Sequence, residues 1–426
     1  MVPVGKGLAV RQARFWTLAI AAMVLGFGVT SPTTSVNAEV ACGAGRSGSL
    51  EERIAACTAA IEAAAAKHVS NGLIRLLRGE AYALNGQLDL AMADFDWLIE
   101  REPDHVAARL RRASIYRLKR NTDAAIADYD KVIATDPKNV DAYDGRAALH
   151  FARRDFDGAV ADYGRILVVH PENLKAYVGR SCAYRGMRDL DRALTDCAKA
   201  IEIAPKRDDG YICRGETQLY RNDLDRAAAD FDRAIELNPR SASSFAGLAV
   251  VHHRRGNLEA AIHDLDQAIG FDSNNPGLYR SRGFLQLETE RVKEAAEDFI
   301  KSLEPNPRDR YTQLWLDVAR RRSAQPSRLA EAAKQFNLSD WPGPIIRFYL
   351  GEITAEDLLA KAEDSNPSKR AGQVCAANYF VGELALASKD DAGAAKHLAE
   401  AVRMCPDGFA GLPLARAELR SLGATP

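Results

Sequence analysis

Small and apolar residues recur along the chain at one constant spacing. Alanine fills one column without exception, at Ala91, Ala125, Ala159, Ala193, Ala227, Ala261 and Ala295. A second column holds small residues at Gly79, Ala113, Ala147, Ser181, Gly215, Ala249 and Gly283, and a third, mostly aromatic, holds Phe95, Tyr129, Tyr163, Cys197, Phe231, Leu265 and Phe299. Small residues let two antiparallel helices approach where they cross, and the larger column fills the volume beside the crossing. The pattern therefore predicts seven tandem helical hairpins over residues 72–309.

These columns resemble the tetratricopeptide repeat (TPR) family, whose 34-residue helix-turn-helix unit also closes with proline, as most periods do from Pro103 to Pro307. The resemblance implies an all-α fold, a TPR α-solenoid forming a right-handed superhelix of antiparallel helix pairs. Each hairpin leaves an apolar face for the next one to bury, so the array needs caps at its ends. We expect a signal peptide (1–38), an N-terminal segment with a capping helix (39–71), seven repeats (72–309), an irregular helical segment (310–374), and a final hairpin with a C-terminal capping helix (375–426).

An ionic pattern accompanies the repeats. Arginine precedes the small column in six of the seven periods, with Leu248 as the exception, and aspartate precedes the third column in all seven. A ligand site would normally be confined to a few repeats, so this regularity favours a structural ladder of Arg–Asp pairs. The sequence leaves open whether each aspartate pairs within its own repeat or with the next.

The C-terminal third resembles the NlpI-type periplasmic TPR lipoproteins. The likeness rests on the runs Trp341-Pro342-Gly343-Pro344, Asn378-Tyr379-Phe380 and Ala415-Arg416-Ala417-Glu418-Leu419. It implies an adaptor of the cell envelope that presents client proteins to peptidoglycan hydrolases or proteases.

The N-terminus has the pattern of a bacterial secretory signal. Basic residues precede an apolar stretch over residues 15–29, and Val36-Asn37-Ala38 has the form of a signal-peptidase site. We expect a Sec-type signal peptide that is cleaved after Ala38, and a periplasmic or secreted protein. The alternative is an uncleaved anchor, in which case the leader would be the only membrane contact, although the stretch is short for a spanning helix. Glu39 departs from the lipobox expected before a lipidated Cys42.

The seven cysteines suggest pairs. Cys375 and Cys405 lie near the two ends of the final hairpin, where antiparallel helices meet, and Cys42 and Cys57 would tie the N-terminal segment to its capping helix. Cys182 and Cys213 lie on successive first helices and form a third candidate pair, which leaves Cys197 as a buried free thiol. Disulfides persist in oxidising compartments, in agreement with the leader. Because the chain has no CxxC pair, a zinc site is disfavoured.

The sequence offers no constellation for catalysis, so we predict that the protein is not an enzyme and that it needs no cofactor or metal. The GxGxxG match at residues 43–48 follows no strand, and the motifs HExxH, Walker A and GxSxG are missing. His252 falls in a column that elsewhere holds tyrosine, which favours core packing, and Arg320-Arg321-Arg322 is interpreted as a solvated helix end. Lys and Arg total 57 against 58 for Asp and Glu, so the chain has no basic excess for nucleic acid.

Function is therefore expected on the surface. In TPR proteins the first helices line a concave groove, which would bind peptide segments of partner proteins through apolar anchors and arginines. The resemblance places in this groove Leu76, Glu80, Leu110, Arg117, Asp144, Phe151, Val178, Arg185, Ile212, Glu216, Leu219, Tyr220, Arg280 and Phe284. We predict a non-catalytic scaffold or adaptor of the bacterial envelope that binds other envelope proteins. An accessory protein that binds peptidoglycan or another glycan is the alternative, and homo-oligomerisation is left open.

Overall fold

A computed structural model describes residue 42 and residues 49–66, 70–405 and 409–424 of the chain. The predicted signal peptide and the GxGxxG match at residues 43–48 lie outside the described residues. Within those ranges, every regular element is an α-helix. The helices are α1 Leu50–Ala66, α2 Gly72–Leu84, α3 Leu88–Arg101, α4 Val106–Leu118, α5 Thr122–Thr135, α6 Val140–Ala152, α7 Phe156–Val169, α8 Leu174–Gly186, α9 Leu190–Ile203, α10 Asp209–Arg221, α11 Leu224–Leu237, α12 Ala242–Arg254, α13 Leu258–Phe271, α14 Pro276–Glu288, α15 Val292–Leu303, α16 Arg310–Arg322, α17 Leu329–Ala333, α18 Gly343–Tyr349, α19 Ala355–Lys361, α20 Pro367–Ala387, α21 Asp391–Met404 and α22 Leu412–Ser421.

These helices form two compact units, which we call the N-terminal half (α1–α10, ending at Arg221) and the C-terminal half (α11–α22, beginning at Asn222). Within each half the helices of the repeats pack against each other in chain order. Even-numbered helices from α2 to α14 are the first helices of the predicted repeats, and odd-numbered helices from α3 to α15 are the second. The all-α TPR solenoid predicted from the sequence is the observed fold class.

Recurring polar side chains determine where the helices begin. Asn121, Asp155 and Asp189 precede α5, α7 and α9, and each accepts a hydrogen bond from the backbone N–H three residues further on. Asn139 and Asn173 cap α6 and α8 in the same way. These caps satisfy donors that the first helical turn leaves without partners, so successive hairpins keep the same bounds.

The three columns form the contacts within and between hairpins. All seven alanines of the first column are 0% exposed. A Cβ added at Gly79 of the small column would lie 2.6 Å from Cε1 of Phe95 on the second helix, so only a residue without a side chain fits there. Third-column side chains also reach the next repeat: the rings of Tyr129 and Tyr163 occupy the space beside Gly145 and Gly179, each on the first helix that follows.

In five repeats the ladder arginine pairs with the aspartate of its own repeat, and three of these arginines also bind an aspartate of the preceding repeat. Arg112 on α4 donates from Nε and Nη2 to both carboxylate oxygens of the buried Asp128 on α5, at 2.8 and 2.7 Å. Its Nη1 donates to Asp96 on the preceding α3 at 2.7 Å. Arg282 binds Asp298 and Asp266 in the same manner. These hydrogen bonds raise the pKa of Arg112, and the structure thus answers the question that the sequence left open.

The repeat without a ladder arginine uses a histidine instead. Leu248 of α12 is buried, and Nδ1 of His252, one turn further on, lies 2.8 Å from Oδ2 of Asp264. His252 is therefore not only a packing residue of the tyrosine column, because it supplies the partner that the missing arginine would give to the ladder aspartate.

Three disulfides join the described cysteines. Cys42 is bonded to Cys57 and Cys375 to Cys405, and these are the predicted partners. The third bond requires a correction: Cys213 is bonded to Cys197 and not to Cys182, so Cys182 and not Cys197 has the free thiol. The reason lies in the third column. Cys197 takes the place of the aromatic ring, and Cys213 stands on the following first helix, at the position where Gly145 and Gly179 face the rings of the two preceding repeats.

These pairs indicate an oxidising compartment. In the described part of the chain, no helix combines the length and the apolar character needed to cross a lipid bilayer.

The C-terminal region extends the repeat frame and then leaves it. α16 begins and ends one full period after α14, so it continues the register of the first helices beyond Asp309. α20 begins at Pro367, before the hairpin start expected at Cys375, because Asn366 caps it and Pro367 occupies its first turn. The helices from α16 onward share one core, in which the ring of Trp315 contacts those of Phe284, Tyr379 and Phe380 at centroid distances of 5.0, 5.1 and 5.4 Å.

Candidate partner-binding surface

The residues predicted for the groove lie on first helices, and most are on the N-terminal half. α2, α4, α6, α8 and α10 present the same positions one repeat after another, and we call this surface the first-helix face. It carries Leu76, Glu80, Leu110, Arg117, Asp144, Phe151, Val178, Arg185, Ile212, Glu216, Leu219 and Tyr220. Arg280 and Phe284 belong to α14 in the C-terminal half and are described separately below.

Ion pairs between successive first helices bind the acidic members of this face. Glu80 accepts from Arg111 at 2.6 Å, Asp144 from Lys175 at 2.6 Å, and Glu216 from Arg185 at 2.6 Å. Each pair spans 31 residues, so it joins the same face of two neighbouring repeats. These carboxylates are thus already neutralised within the chain.

The Arg185 side chain is occupied by hydrogen bonds within the protein. It is 8% exposed and donates to the carbonyl of Cys213 at 3.2 Å, to Oγ1 of Thr217 at 3.3 Å and to Sγ of Cys182 at 3.2 Å, besides its bond to Glu216. Leu219 is also buried, at 8% exposure. These two residues therefore help to hold α8 and α10 together and offer little to a partner.

The accessible part of the first-helix face centres on Arg117 and Phe151. Both are half-buried, and among the described residues Arg117 makes no ion pair. Burial raises the pKa of the neighbouring Tyr163 hydroxyl, and the positive charge of Arg117 partly opposes this shift. Phe151 packs edge-on against Phe156 with a centroid distance of 5.5 Å. The Arg117 guanidinium, which has no ion partner among the described residues, thus lies one repeat before the Phe151 ring, which packs against Phe156.

Partly buried apolar side chains occupy other positions of the same face. Leu76, Leu110, Val178 and Ile212 are each half-buried, and the Tyr220 ring is 46% exposed. Apolar positions with one charged group suit a partner that is held by apolar anchors and fixed in register by a hydrogen bond.

The two predicted groove residues of the C-terminal half are engaged in packing. Arg280 lies 3.4 Å from Asp309, and the Phe284 ring packs edge-on between Phe299 and Trp315 at 5.4 and 5.0 Å. Phe284 therefore borders the core around Trp315.

A second feature was missed by the sequence analysis. In the C-terminal half, a cleft of about 350 Å³ opens between α16, α18, α20 and α22, and is lined by Val318, Arg321, Arg322, Tyr349, Glu383, Leu386, Ala387 and Glu418. The interpretation of Arg320–Arg322 as a solvated helix end is wrong for Arg321 and Arg322. Arg321 donates to Asp317 at 2.6 Å, and Arg322 donates to Glu383 at 2.7 Å. Asp317 lies four residues before Arg321 on the same helix, whereas Glu383 is 61 residues from Arg322, so no local pattern reveals the second pair.

Comparison with known proteins identifies the class. The sequence model of the family described as "Tetratricopeptide repeat" matches residues 85–140, 145–208 and 214–276, so the chain contains tetratricopeptide repeats. TPRs are protein–protein interaction scaffolds and generally have no catalytic activity of their own.

Many solved structures are similar to this chain, and three of them illustrate the likeness. A tetratricopeptide repeat protein from Parabacteroides merdae is 20% identical, with a TM-score of 0.51 over 57% of this chain and 97% of its own. YrrB, a TPR protein with an unusual peptide-binding site, is 20% identical over 44% of this chain and 97% of its own, with a TM-score of 0.32. PilF of Pseudomonas aeruginosa is 17% identical over 49% of this chain and 94% of its own, with a TM-score of 0.38. At these sequence identities the first structure shows a similar fold and no more. The TM-scores of 0.32 and 0.38 are too low to support any conclusion about this chain.

Proposed function

We propose that this protein is a non-catalytic adaptor of the bacterial cell envelope that binds extended peptide segments of partner proteins on its first-helix face. The observation that supports this most directly is the combination of an unpaired guanidinium with neighbouring apolar side chains. Arg117 lacks an ion pair among the described residues. The other charged groove residues of this face each form an ion pair with a neighbouring first helix, and they are Glu80, Asp144, Arg185 and Glu216.

The chemistry of this face favours a peptide. The Phe151 ring is fixed by Phe156, and Val178 lies on the next first helix, so apolar side chains of a peptide would meet preformed contacts. The Arg117 guanidinium would donate to a peptide carbonyl or carboxylate, and such charge-assisted hydrogen bonds are stronger than neutral ones. Apolar anchors would then supply affinity and Arg117 the register.

The envelope location is supported by three lines of reasoning. Three cysteine pairs at disulfide distance fit an oxidising compartment. Residues 1–38 have the pattern of a cleaved signal peptide. The resemblance to the NlpI-type lipoproteins expected from the sequence of residues 341–351, 378–382 and 415–419 favours the same location, and we infer that the protein lies in the periplasm or outside the cell.

Site-specific photo-crosslinking in the native host tests the peptide site. We expect a benzoylphenylalanine at Phe151 to crosslink to polypeptides, and the same group at Val168 to give little product. Val168 is 76% exposed on α7, a second helix, and serves as the control position. Mapping the crosslinked peptides would show whether one recurring segment type occupies the face.

A charge reversal gives the matched comparison. Arg117→Glu should reduce crosslinking from position 151 at least fivefold, whereas Arg165→Glu, an exposed arginine on α7, should leave it unchanged. Equal crosslinking from positions 151 and 168 would contradict the peptide site. Retention of the protein on purified sacculi without polypeptide crosslinks would instead favour the glycan-binding alternative, for which the exposed Tyr220 ring offers a stacking surface.

A further inference from the structure

Two arginines and two glutamates line the cleft of the C-terminal half, and one of the arginines is engaged by a further carboxylate outside the lining. Arg321 has its own partner in Asp317, which is buried, at a distance of 2.6 Å. Arg322 holds Glu383 with two nitrogens, Nη2 to Oε1 at 2.7 Å and Nε to Oε2 at 3.1 Å. Each guanidinium is thus matched by one carboxylate, and Glu418 is left over.

Glu418 shares a nitrogen that is already in use. Its Oε1 lies 2.9 Å from Nη2 of Arg322, the same atom that donates to Glu383. Among the described residues, Glu418 has no second cationic partner. Burial raises the pKa of Glu418, and the negative charges of Glu383 and Glu290 raise it further while Arg322 opposes the shift. The Glu418 carboxylate is therefore compensated only by the Arg322 nitrogen that it shares with Glu383.

The remaining walls of the cleft are apolar. Val318 of α16 and Leu386 and Ala387 of α20 line it together with Tyr349 of α18. The Glu418 side chain is 24% exposed, whereas that of Glu383 is 3% exposed, so a ligand that enters the cleft meets Glu418 first. An apolar wall beside an accessible carboxylate matches a ligand with an aliphatic chain and a cationic end.

We propose that this cleft binds a lysine or arginine side chain of a partner protein, with its charged group on Glu418 and its aliphatic part against Val318, Leu386 and Tyr349. The volume of about 350 Å³ falls within the range of small-ligand sites. An anionic ligand fits less well, because both guanidiniums already have carboxylate partners. The site lies in the C-terminal half and does not depend on the peptide site proposed for the first-helix face.

Methyl NMR of the mature protein tests the proposal with small probes. N-acetyl-lysine methylamide and N-acetyl-arginine methylamide should shift the methyl signals of Val318 and Leu386 in a saturable manner. N-acetyl-norleucine methylamide, which keeps the aliphatic chain and lacks the charge, should bind at least fivefold more weakly. N-acetyl-glutamate methylamide should leave these signals unchanged.

Two variants complete the experiment. Glu418→Gln keeps the shape of the side chain and should weaken lysine-probe binding at least fivefold, while its methyl spectrum stays otherwise native. Glu294→Gln alters an exposed carboxylate on α15 and should have no effect. Binding of the norleucine or glutamate probe as tightly as the lysine probe would overturn the proposal. Unchanged lysine-probe affinity in natively folded Glu418→Gln would do the same.

Discussion

The regular repeats and the region from α16 to α22 are stabilised in different ways. In the repeats, the same few contacts occur again and again: a buried alanine, a ring against a glycine, and an arginine between two aspartates. From α16 onward, a single core gathers helices of unequal length around Trp315. A substitution in a repeat should therefore act on one or two hairpins, whereas one at Trp315 should affect a whole region.

The largest effect is expected at Trp315. Trp315→Ala should destabilise the C-terminal half by about 3–5 kcal/mol, because the ring fills the centre of that core and its loss leaves a cavity. Hydrogen exchange should accelerate in α16, α20 and α22 and remain unchanged in α4–α7. Trp97→Ala on α3 is the control: its ring is half-buried beside Arg75 and Arg101, so its loss should be much smaller and confined to the first repeats. Equal acceleration in both halves after Trp315→Ala would refute the contrast.

The next largest effect is expected in the ladder. Arg112→Leu removes the bidentate partner of the buried Asp128 and leaves it the single hydrogen bond from Nη1 of Arg109 at 2.9 Å, so the loss should be about 3 kcal/mol, the lower end for breaking a buried pair. Adding Asp128→Asn should recover part of this loss, because burying a neutral amide costs less than burying a carboxylate that keeps only Arg109 as its partner. Lys119→Leu breaks an exposed pair with Asp89 and should cost no more than about 1 kcal/mol. Denaturant titrations give these differences, and a loss after Arg112→Leu as small as after Lys119→Leu would show that the ladder is not structural.

A smaller effect tests whether the disulfide replaces a ring–glycine contact. Cys213→Gly should cost about 2–3 kcal/mol through loss of the bond to Cys197. Cys197→Tyr together with Ser181→Ala and Cys213→Gly recreates the combination of Tyr163 with Ala147 and Gly179, and should restore stability to within about 1 kcal/mol of wild type. A triple variant no more stable than Cys213→Gly would contradict the equivalence. Mass spectrometry of the unreduced protein should find Cys182 as the free thiol.

The smallest effect concerns Glu418. The pKa of Glu418 is raised in the folded state, so its ionised form lowers the free energy of unfolding at pH values above that pKa. Below the unfolded-state pKa of about 4.3 the carboxyl group is protonated in both states, and this destabilisation disappears. Glu418→Gln should therefore raise the melting temperature slightly at pH 7, and this gain should vanish as the pH falls towards 4. A gain for Glu418→Gln that grows at acidic pH would contradict the sign of this shift.

Much of the repeat architecture could be predicted from the sequence, because each contact recurs at a fixed spacing. Ala91 and its equivalents are buried as the period requires, and the Arg–Asp pattern forms the expected ladder. The Cys197–Cys213 bond also had a visible indication. Where the third column loses its aromatic ring, the facing position on the next first helix changes from glycine to cysteine. Spacing alone also made Cys182 a plausible partner, and only the direction of the third-column side chain decides between them.

The sequence by itself determined the helices, their period and the order in which the repeats stack, because these depend on contacts between residues within about one repeat. The tertiary structure decided which charges are free. It places Arg185 against Glu216 and the Cys213 carbonyl, and Arg322 against Glu383 and Glu418. It leaves Arg117 without an ion pair among the described residues. Such pairings depend on where helices from distant parts of the chain finally lie, and no periodic pattern encodes that placement.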